Sequence, residues 1–388
     1  MKRLLFSLLV LATLTACHQP AEPEAVQALD SICSTLFPAD EPGAAVLILR
    51  GDSVLFDRGY GLANLETRTL IDGNTFFNIA SVSKQFTAVA VLQLAEQGLL
   101  DLNDAIAQYF HFPYACWKEV RIKDLLSHSS GVPDLRGDMP REDKIYGTDS
   151  TALSYLPQVK KLHFSPGSAY EYMNPTYTLL GALVSQRSGQ PFSTYMQEHI
   201  FAPAGMQAFY IADSLDHLEH MKPLHCSSVA HAYDYDTPHQ WYEYDYGEET
   251  FFATSPDGGI YTSTHQFVQW ENFLRTSDSL STASPEKELT VSHCPLSICD
   301  AWTPSIEVSG SPWSTYQNRP NTWYGYGWFI EPQTDSTKTV IYHTGDNGGF
   351  MILAARYPED HALVLVFANR ADWDRYALMQ QIEHLFGL

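Results

Sequence analysis

Ser81-Val-Ser-Lys-Gln-Phe-Thr-Ala-Val-Ala-Val-Leu-Gln-Leu-Ala-Glu-Gln-Gly-Leu-Leu100 begins with a serine and a lysine three residues apart and runs on with helical period. Phe86, Val89, Ala90, Leu92, Leu94 and Leu99 supply a thick apolar face and Gly98 lies near the end, which predicts a buried helix from Ser81 to Leu100. Residues three apart share a helical face, so the Lys84 amine can reach the Ser81 hydroxyl. A serine at a helix N-terminus profits from the positive end of the dipole when an oxyanion forms. A lysine desolvated beneath an apolar helix loses proton affinity and can act as a base. The pattern alone is not specific, because Ser284-Pro-Glu-Lys287 matches it too; that copy lacks a long apolar run and reads as a surface turn.

Outward from this helix the pattern changes to strands. Ala44 to Leu49 and Val54 to Tyr60, separated by Arg50-Gly-Asp-Ser53, read as a hairpin. Towards the C-terminus Tyr326 to Ile330, Thr339 to His343, Phe350 to Arg356 and Ala362 to Ala368 are four strand-like runs, and Trp373 to Phe386 reads as a closing helix. Strands at both ends with helices between them predict an α+β fold: an antiparallel sheet built from the two termini, flanked by helices, with a mostly helical region inserted. Residues 209–321 form the least legible part. Its aromatic and acidic stretch from Tyr233 to Tyr246 reads as a loop packing its rings on the domain, with a cleft lining as the alternative.

The chain of 388 residues carries 45 acidic against 23 basic side chains, a formal charge of -22 that repels phosphate backbones, so nucleic acid is excluded as a partner. Lys2 and Arg3 precede the apolar run Leu4 to Leu14, too short to span a bilayer but suited to a secretory signal, residues 1–16. Leu14-Thr-Ala-Cys17 resembles the lipobox of bacterial lipoproteins, and that resemblance implies acylation of Cys17. Residues 17–41 then read as a lipid-anchored tether rich in Ala, Glu and Pro, leaving 42–388 as the folded domain of an exported envelope protein. After Cys17 the cysteines are Cys33, Cys116, Cys226, Cys294 and Cys299, an odd set, of which Cys294 and Cys299 could bridge locally. No metal-ligand spacing surrounds them, and neither a metal nor another cofactor is expected.

Two further elements stand with Ser81-x-x-Lys84, namely Tyr172-x-Asn174 and His343-Thr344-Gly345, although Tyr172-Met-Asn174 has a chance twin in Tyr316-Gln-Asn318. In this order, and with the flanks Asn78-Ile-Ala-Ser81, Leu125-Leu-Ser-His-Ser-Ser-Gly-Val-Pro-Asp134, Asn174-Pro-Thr-Tyr-Thr-Leu-Leu-Gly181 and Gly258-Gly-Ile-Tyr-Thr-Ser263, the chain resembles the serine β-lactamase and penicillin-binding-protein superfamily. The match is to the class C-related branch with its DD-peptidase and esterase relatives, and it runs from about Pro42 to the C-terminus.

That resemblance implies an acyl-enzyme on Ser81, with Lys84 and Tyr172 sharing acid and base work. It implies that Asn174 orients Lys84 and bonds a substrate amide, that His343, Thr344 and Gly345 line the binding edge of the sheet, and that the backbone N–H groups of Ser81 and Asp346 form the oxyanion hole. His343 stands where lactamases usually have lysine. An unperturbed imidazole is mostly neutral at pH 7, so a substrate carboxylate should be held more weakly. The expected activity is hydrolysis of a D-amino-acid peptide, of the DD-carboxypeptidase or D-aminopeptidase kind, or of a small ester. A β-lactamase proper and a non-catalytic binding protein on the same fold are the alternatives. His128, in Ser127-His-Ser-Ser-Gly131, is expected to brace a loop near the site and is given no catalytic role. Gly51-Asp-Ser53 imitates the motif of another esterase family, but the Asp-x-x-His that family needs late in the chain occurs only at Asp236-x-x-His239, so Ser53 reads as a turn residue.

Overall fold

The computed structural model describes residues 23–140, 143, 147–210, 228–237, 239–244, 254–280, 298–312, 319–335 and 337–388. The signal segment, Cys17, Cys226, Cys294, Ser284 to Lys287 and Tyr316 to Asn318 lie outside them. Both termini build one antiparallel sheet of eight strands, in the order Ile306–Glu307, Trp323–Tyr324, Phe329–Glu331, Val340–Asn347, Phe350–Tyr357, Ala362–Ala368, Ala44–Arg50 and Ser53–Tyr60. The first long strand pairs with the last, from Ala44 opposite Ala368 to Arg50 opposite Ala362. The fold is therefore α+β as the sequence predicted, and the hairpin and the four C-terminal strands lie within a few residues of their expected positions.

The long apolar runs in these strands follow from burial on both faces. Ala45, Leu47 and Leu49 belong to one core, while Ala44, Val46 and Ile48, one pleat out of phase, belong to the other. The first core lies between the sheet and the inserted helical region. The second is roofed by the helices Pro23–Leu36 and Arg375–Phe386, which bring Leu29, Cys33, Leu378 and Ile382 onto the sheet.

Here the structure corrects a boundary. Residues 23–36, read as tether, form a helix whose Leu29 and Cys33 are fully buried, and Phe37 follows them into the core. The Ala, Glu and Pro content that suggested a linker also suits a helix with Pro at its first turn and an acidic residue beside it.

In the aromatic stretch, Tyr233–Thr237 and Gln240–Glu243 form a hairpin. Tyr233 is buried and accepts a hydrogen bond from the Leu65 N–H at 2.9 Å, and the Arg370 guanidinium lies 4.4 Å from the Trp241 ring centroid. Those rings pack on the domain as expected, whereas Tyr235 and Tyr242 remain exposed. Among the described residues no helix is long and apolar enough to cross a membrane.

Candidate active site

The segment that carries Ser81 enters from the short strand Phe77–Asn78, which pairs with Ile260–Thr262. The chain then makes a forced turn. Ala80 has φ +47°, a left-handed conformation that costs a side-chain-bearing residue about 1–3 kcal/mol and persists only where its surroundings over-determine it. They do so here, for the Ala80 N–H donates to Asn78 Oδ1 at 2.8 Å. Ala80–Ser83 form a 3₁₀ turn that passes into the α-helix Lys84–Glu96, so the helix opens more tightly than the sequence suggested and stops before Gly98, which is left-handed at φ +68°. Every residue from Lys84 to Leu94 is buried, so the helix is a central one, covered all round.

Ser81 is half-buried and Lys84 fully buried, with Lys84 Nζ 3.0 Å from Ser81 Oγ. The amine also donates to the backbone carbonyl of Asp257 at 2.7 Å, and it lies 4.9 Å from the ring centroid of Tyr172 and 5.7 Å from that of Tyr177. The Asp257 carbonyl is a member of this cluster that the sequence reading missed. It sits in the short helix Ser255–Gly258, tied to the nucleophile helix by Thr87 Oγ1, which donates to the Pro256 carbonyl at 2.7 Å, and by the Ile260 N–H, which donates to Ser83 Oγ at 3.2 Å. The flank Gly258-Gly-Ile-Tyr-Thr-Ser263 was the available signal, but a backbone acceptor leaves no residue type to recognise.

Asn174 opens the helix Asn174–Ser188, two residues after Tyr172. Its side-chain carbonyl is buried and has no hydrogen-bond partner among the described residues, which leaves an acceptor available for an incoming N–H.

Across the cleft stands Val340–Asn347. Phe329–Glu331 pairs with this strand only over Val340 to Tyr342, so beyond that point its outer edge leaves the sheet ladder and faces the Ser81 turn. Gly345 is the closest approach: a Cβ there would lie 2.4 Å from the Ile79 carbonyl oxygen and 3.1 Å from Ala80 Cβ. The strand thus lies against the backbone of the nucleophile turn, which gathers Ser81, Thr344, Gly345 and Asp346 on one edge. Asp346 is exposed and ion-paired to Arg375, a nearly buried side chain at the start of the C-terminal helix.

The structure departs from expectation at His343. Its side chain is 1% exposed, and both ring nitrogens are bonded within the protein: Nδ1 to the Thr344 carbonyl at 2.6 Å and Nε2 to Tyr324 Oη at 2.9 Å. A carbonyl only accepts, so Nδ1 carries the proton and Nε2 accepts from the phenol. Burial pushes the imidazole down to about 3, helped by the Lys84 charge and by Arg375, against the opposing pull of the Thr344 carbonyl. The ring is a neutral internal strut. The ring that the sequence reading placed on the binding edge is thus turned into the protein.

His128 lies in the same cluster. Its ring is buried, with its centroid 4.2 Å from that of Tyr172. Burial first, then the charge of Lys84 and the presence of His343, hold it well below the ordinary histidine range. Among the described residues no group of three or more His, Cys, Asp or Glu side chains is placed to hold a metal ion.

Comparison with known proteins gives a consistent picture. The sequence profile of the Beta-lactamase family matches residues 34–385. Penicillin-binding protein 4* of Bacillus subtilis (strain 168) is 25% identical over 372 residues, covering 92% of this chain and 76% of the relative. Protein flp of Staphylococcus aureus (strain MW2) is also 25% identical, over 84% of this chain, which spans only 59% of that longer relative. Among solved structures, the octameric penicillin-binding protein homologue from Pyrococcus abyssi superposes with a TM-score of 0.75 at 22% identity, over 93% of this chain and 77% of the other. The D-amino acid amidase from Ochrobactrum anthropi SV3 does so with a TM-score of 0.70 at 18% identity, over 94% and 97%. At those identities the structural likeness speaks for the fold alone.

Proposed function

This chain belongs to the beta-lactamase family, and on that premise we propose that it is a serine hydrolase that cleaves an amide or ester through an acyl-enzyme on Ser81. The observation that carries the reading is the 3.0 Å contact between Lys84 Nζ and Ser81 Oγ at the mouth of a buried helix, with the Tyr172 ring beside the amine.

The chemistry follows from these residues. The Lys84–Tyr172 pair takes the Ser81 proton as Oγ bonds to the substrate carbonyl carbon. The negative charge moves to the carbonyl oxygen, where the Ser81 and Asp346 N–H groups receive it; such a donor commonly supplies a factor of about 10²–10³. The Ser81 N–H suits this task because a first-turn N–H has no intrahelical carbonyl to bond. The bond to the leaving nitrogen or oxygen then breaks as the pair returns the proton to it. Water next attacks the acyl carbon and gives one proton to the pair, which passes it to Ser81 Oγ as the acid departs. The open edge of Val340–Asn347 offers backbone groups to an extended acyl chain, which adds as a strand, and the buried Asn174 carbonyl accepts a substrate N–H.

Of the substrates that this chemistry reaches, those with no carboxylate beside the scissile bond are favoured. His343 is neutral and occupied, and Asp346 places a carboxylate on the binding edge. We therefore favour D-amino-acid amides, N-terminal D-peptides or small esters over β-lactams and carboxypeptidase substrates. The fold it shares with a D-amino acid amidase is compatible with that choice. In the cell we place the enzyme in the envelope, anchored through acylated Cys17; incorporation of labelled fatty acid that Cys17→Ser abolishes would support this.

The deciding experiment exposes the protein to a fluorophosphonate probe and, separately, to a D-amino-acid amide, an aryl ester and a chromogenic cephalosporin, with Ser81→Ala alongside. Covalent labelling and turnover of amide or ester, both lost in Ser81→Ala, are expected. A folded wild-type protein that takes no label and turns over nothing is a binding protein, and the proposal fails.

A further inference from the structure

His128 has two features that bracing a loop does not require. It adopts φ +56°, a left-handed conformation uncommon for any residue but glycine, and it is buried with a ring N–H that finds no acceptor among the described residues. Both are costs, so something nearby must compel them.

Its contacts identify what that is. The His128 carbonyl accepts from the Glu171 N–H at 2.9 Å, and its Nδ1 accepts from the Met173 N–H at 3.2 Å. These are the two peptide N–H groups that flank Tyr172. A donor N–H at Nδ1 places the ring proton on Nε2, the atom left without a partner among the tyrosine rings. The ring itself lies against that of Tyr172, tilted by 41°, with the rings of Tyr324 and Tyr177 at 4.9 and 5.1 Å. One residue therefore fixes the backbone on both sides of Tyr172 and supports the face of its ring. The left-handed φ is what brings carbonyl and side chain of a single residue to the same neighbouring segment.

We propose that His128 is a positioning residue for the acylation step, holding the Tyr172 phenol in register with Lys84 and Ser81. This rests on the hydrolase reading above. The contacts to the two flanking N–H groups carry most of this role and the ring adds to it: a small polar residue supplies the acceptor without the ring, whereas phenylalanine supplies the ring without the acceptor. A second cation beside Lys84 would oppose the lysine charge, so the ring has to work in its neutral form, the state that burial enforces.

The test separates these contributions. His128→Asn keeps an acceptor near the Nδ1 position and tolerates the left-handed φ, His128→Phe keeps only the ring, and His128→Ala keeps neither. A displaced catalytic group commonly costs about 10²-fold. Ala and Phe are therefore expected to lower kcat on an aryl ester, and the rate of fluorophosphonate labelling, by about 30–100-fold with KM within about 3-fold, while Asn stays within about 5-fold of wild type. In a Tyr172→Phe background, His128→Ala should add no further loss, because the residue it positions has already lost its phenol. Thermal melts accompany each variant, and if His128→Ala does not fold the Asn and Phe pair decides. The inference is overturned if Asn is no better than Phe, or if the two losses multiply in full in the double variant. A wild-type protein that takes no label brings down the hydrolase reading itself, whereas labelling that every folded His128 variant matches brings down only this one.

Discussion

The two walls of the cleft do different work with different parts of the residue. On the helical wall it is side chains that converge: Lys84 Nζ meets Ser81 Oγ and the Tyr172 ring, and the backbone carbonyl of Asp257 holds the amine. On the sheet wall the roles are reversed. Gly345 has no side chain, His343 turns its ring into the protein, and what faces Ser81 is the backbone of a strand that has outrun its neighbour.

Lys84→Met is the substitution that should separate the walls most. It keeps the volume of the buried stem and removes the amine, so acylation should fall about 10³-fold, within the range typical of a lost acid–base group. The melting temperature should drop as well, because the buried Asp257 carbonyl loses a donor. Pre-steady-state acylation and a thermal melt on the same preparation check both, and acylation within tenfold of wild type would place the base elsewhere.

Gly345→Ala tests the other wall through its backbone. A methyl 2.4 Å from the Ile79 oxygen forces the strand or the Ile79–Ser81 turn to move, which displaces the oxyanion donors from Ser81. The expected loss in kcat is about 10²-fold, for esters and amides alike. Full activity would mean that the strand does not press on the nucleophile turn.

The same division explains what could be read before the fold was known. The meeting of Lys84 with Ser81 was legible because it follows from their spacing on a helix, and the sheet was legible because strands buried on both faces leave unbroken apolar runs such as Ala362–Ala368. The Asp257 carbonyl was not legible, since every residue has one. The burial of His343 was not legible either, because it depends on Tyr324 folding over the ring from another strand. Pro23–Leu36 reads as tether from its sequence because a helix whose apolar face needs the partner helix Arg375–Phe386, more than three hundred residues away, shows little of that in its own composition.

If the His343 ring is an internal strut, its signature is in stability and not in turnover. The imidazole titrates near 6.5 in an unfolded chain and near 3 in the fold. Between those values the unfolded state holds the extra proton, so stability is fully present above pH 6.5 and drains away as pH falls towards 3. Burial gives His128 the same sign. In His343→Asn this component is absent, so the fall in melting temperature from pH 7 to pH 4 should be smaller than in wild type, by on the order of 5 °C, with ester kcat at pH 7 changed less than about 3-fold for a side chain outside the contact surface. A collapse of kcat with an unchanged pH dependence of stability would return His343 to the substrate.

The smallest effect should come from Asp346, the one charged side chain of the edge motif that faces solvent. Its carboxylate is half-exposed and spends its charge against Arg375, whose guanidinium is nearly buried. Removing the carboxylate with Asp346→Asn leaves that cation unopposed beside the binding edge and keeps the backbone N–H in place. Neutral esters, which sense only the N–H, should be hydrolysed within about 2-fold of the wild-type rate, because the substitution leaves that group in place and changes only a half-exposed side chain. A D-alanyl dipeptide, which brings its own carboxylate, should gain about 3-fold relative to the ester, and screening should erase the gain at 1 M salt, where the Debye length is about 3 Å. The ratio between the two substrates is the informative quantity. If it does not move at low salt, the charge of Asp346 has no part in keeping carboxylates out, and the preference for neutral substrates must lie in the shape of the cleft.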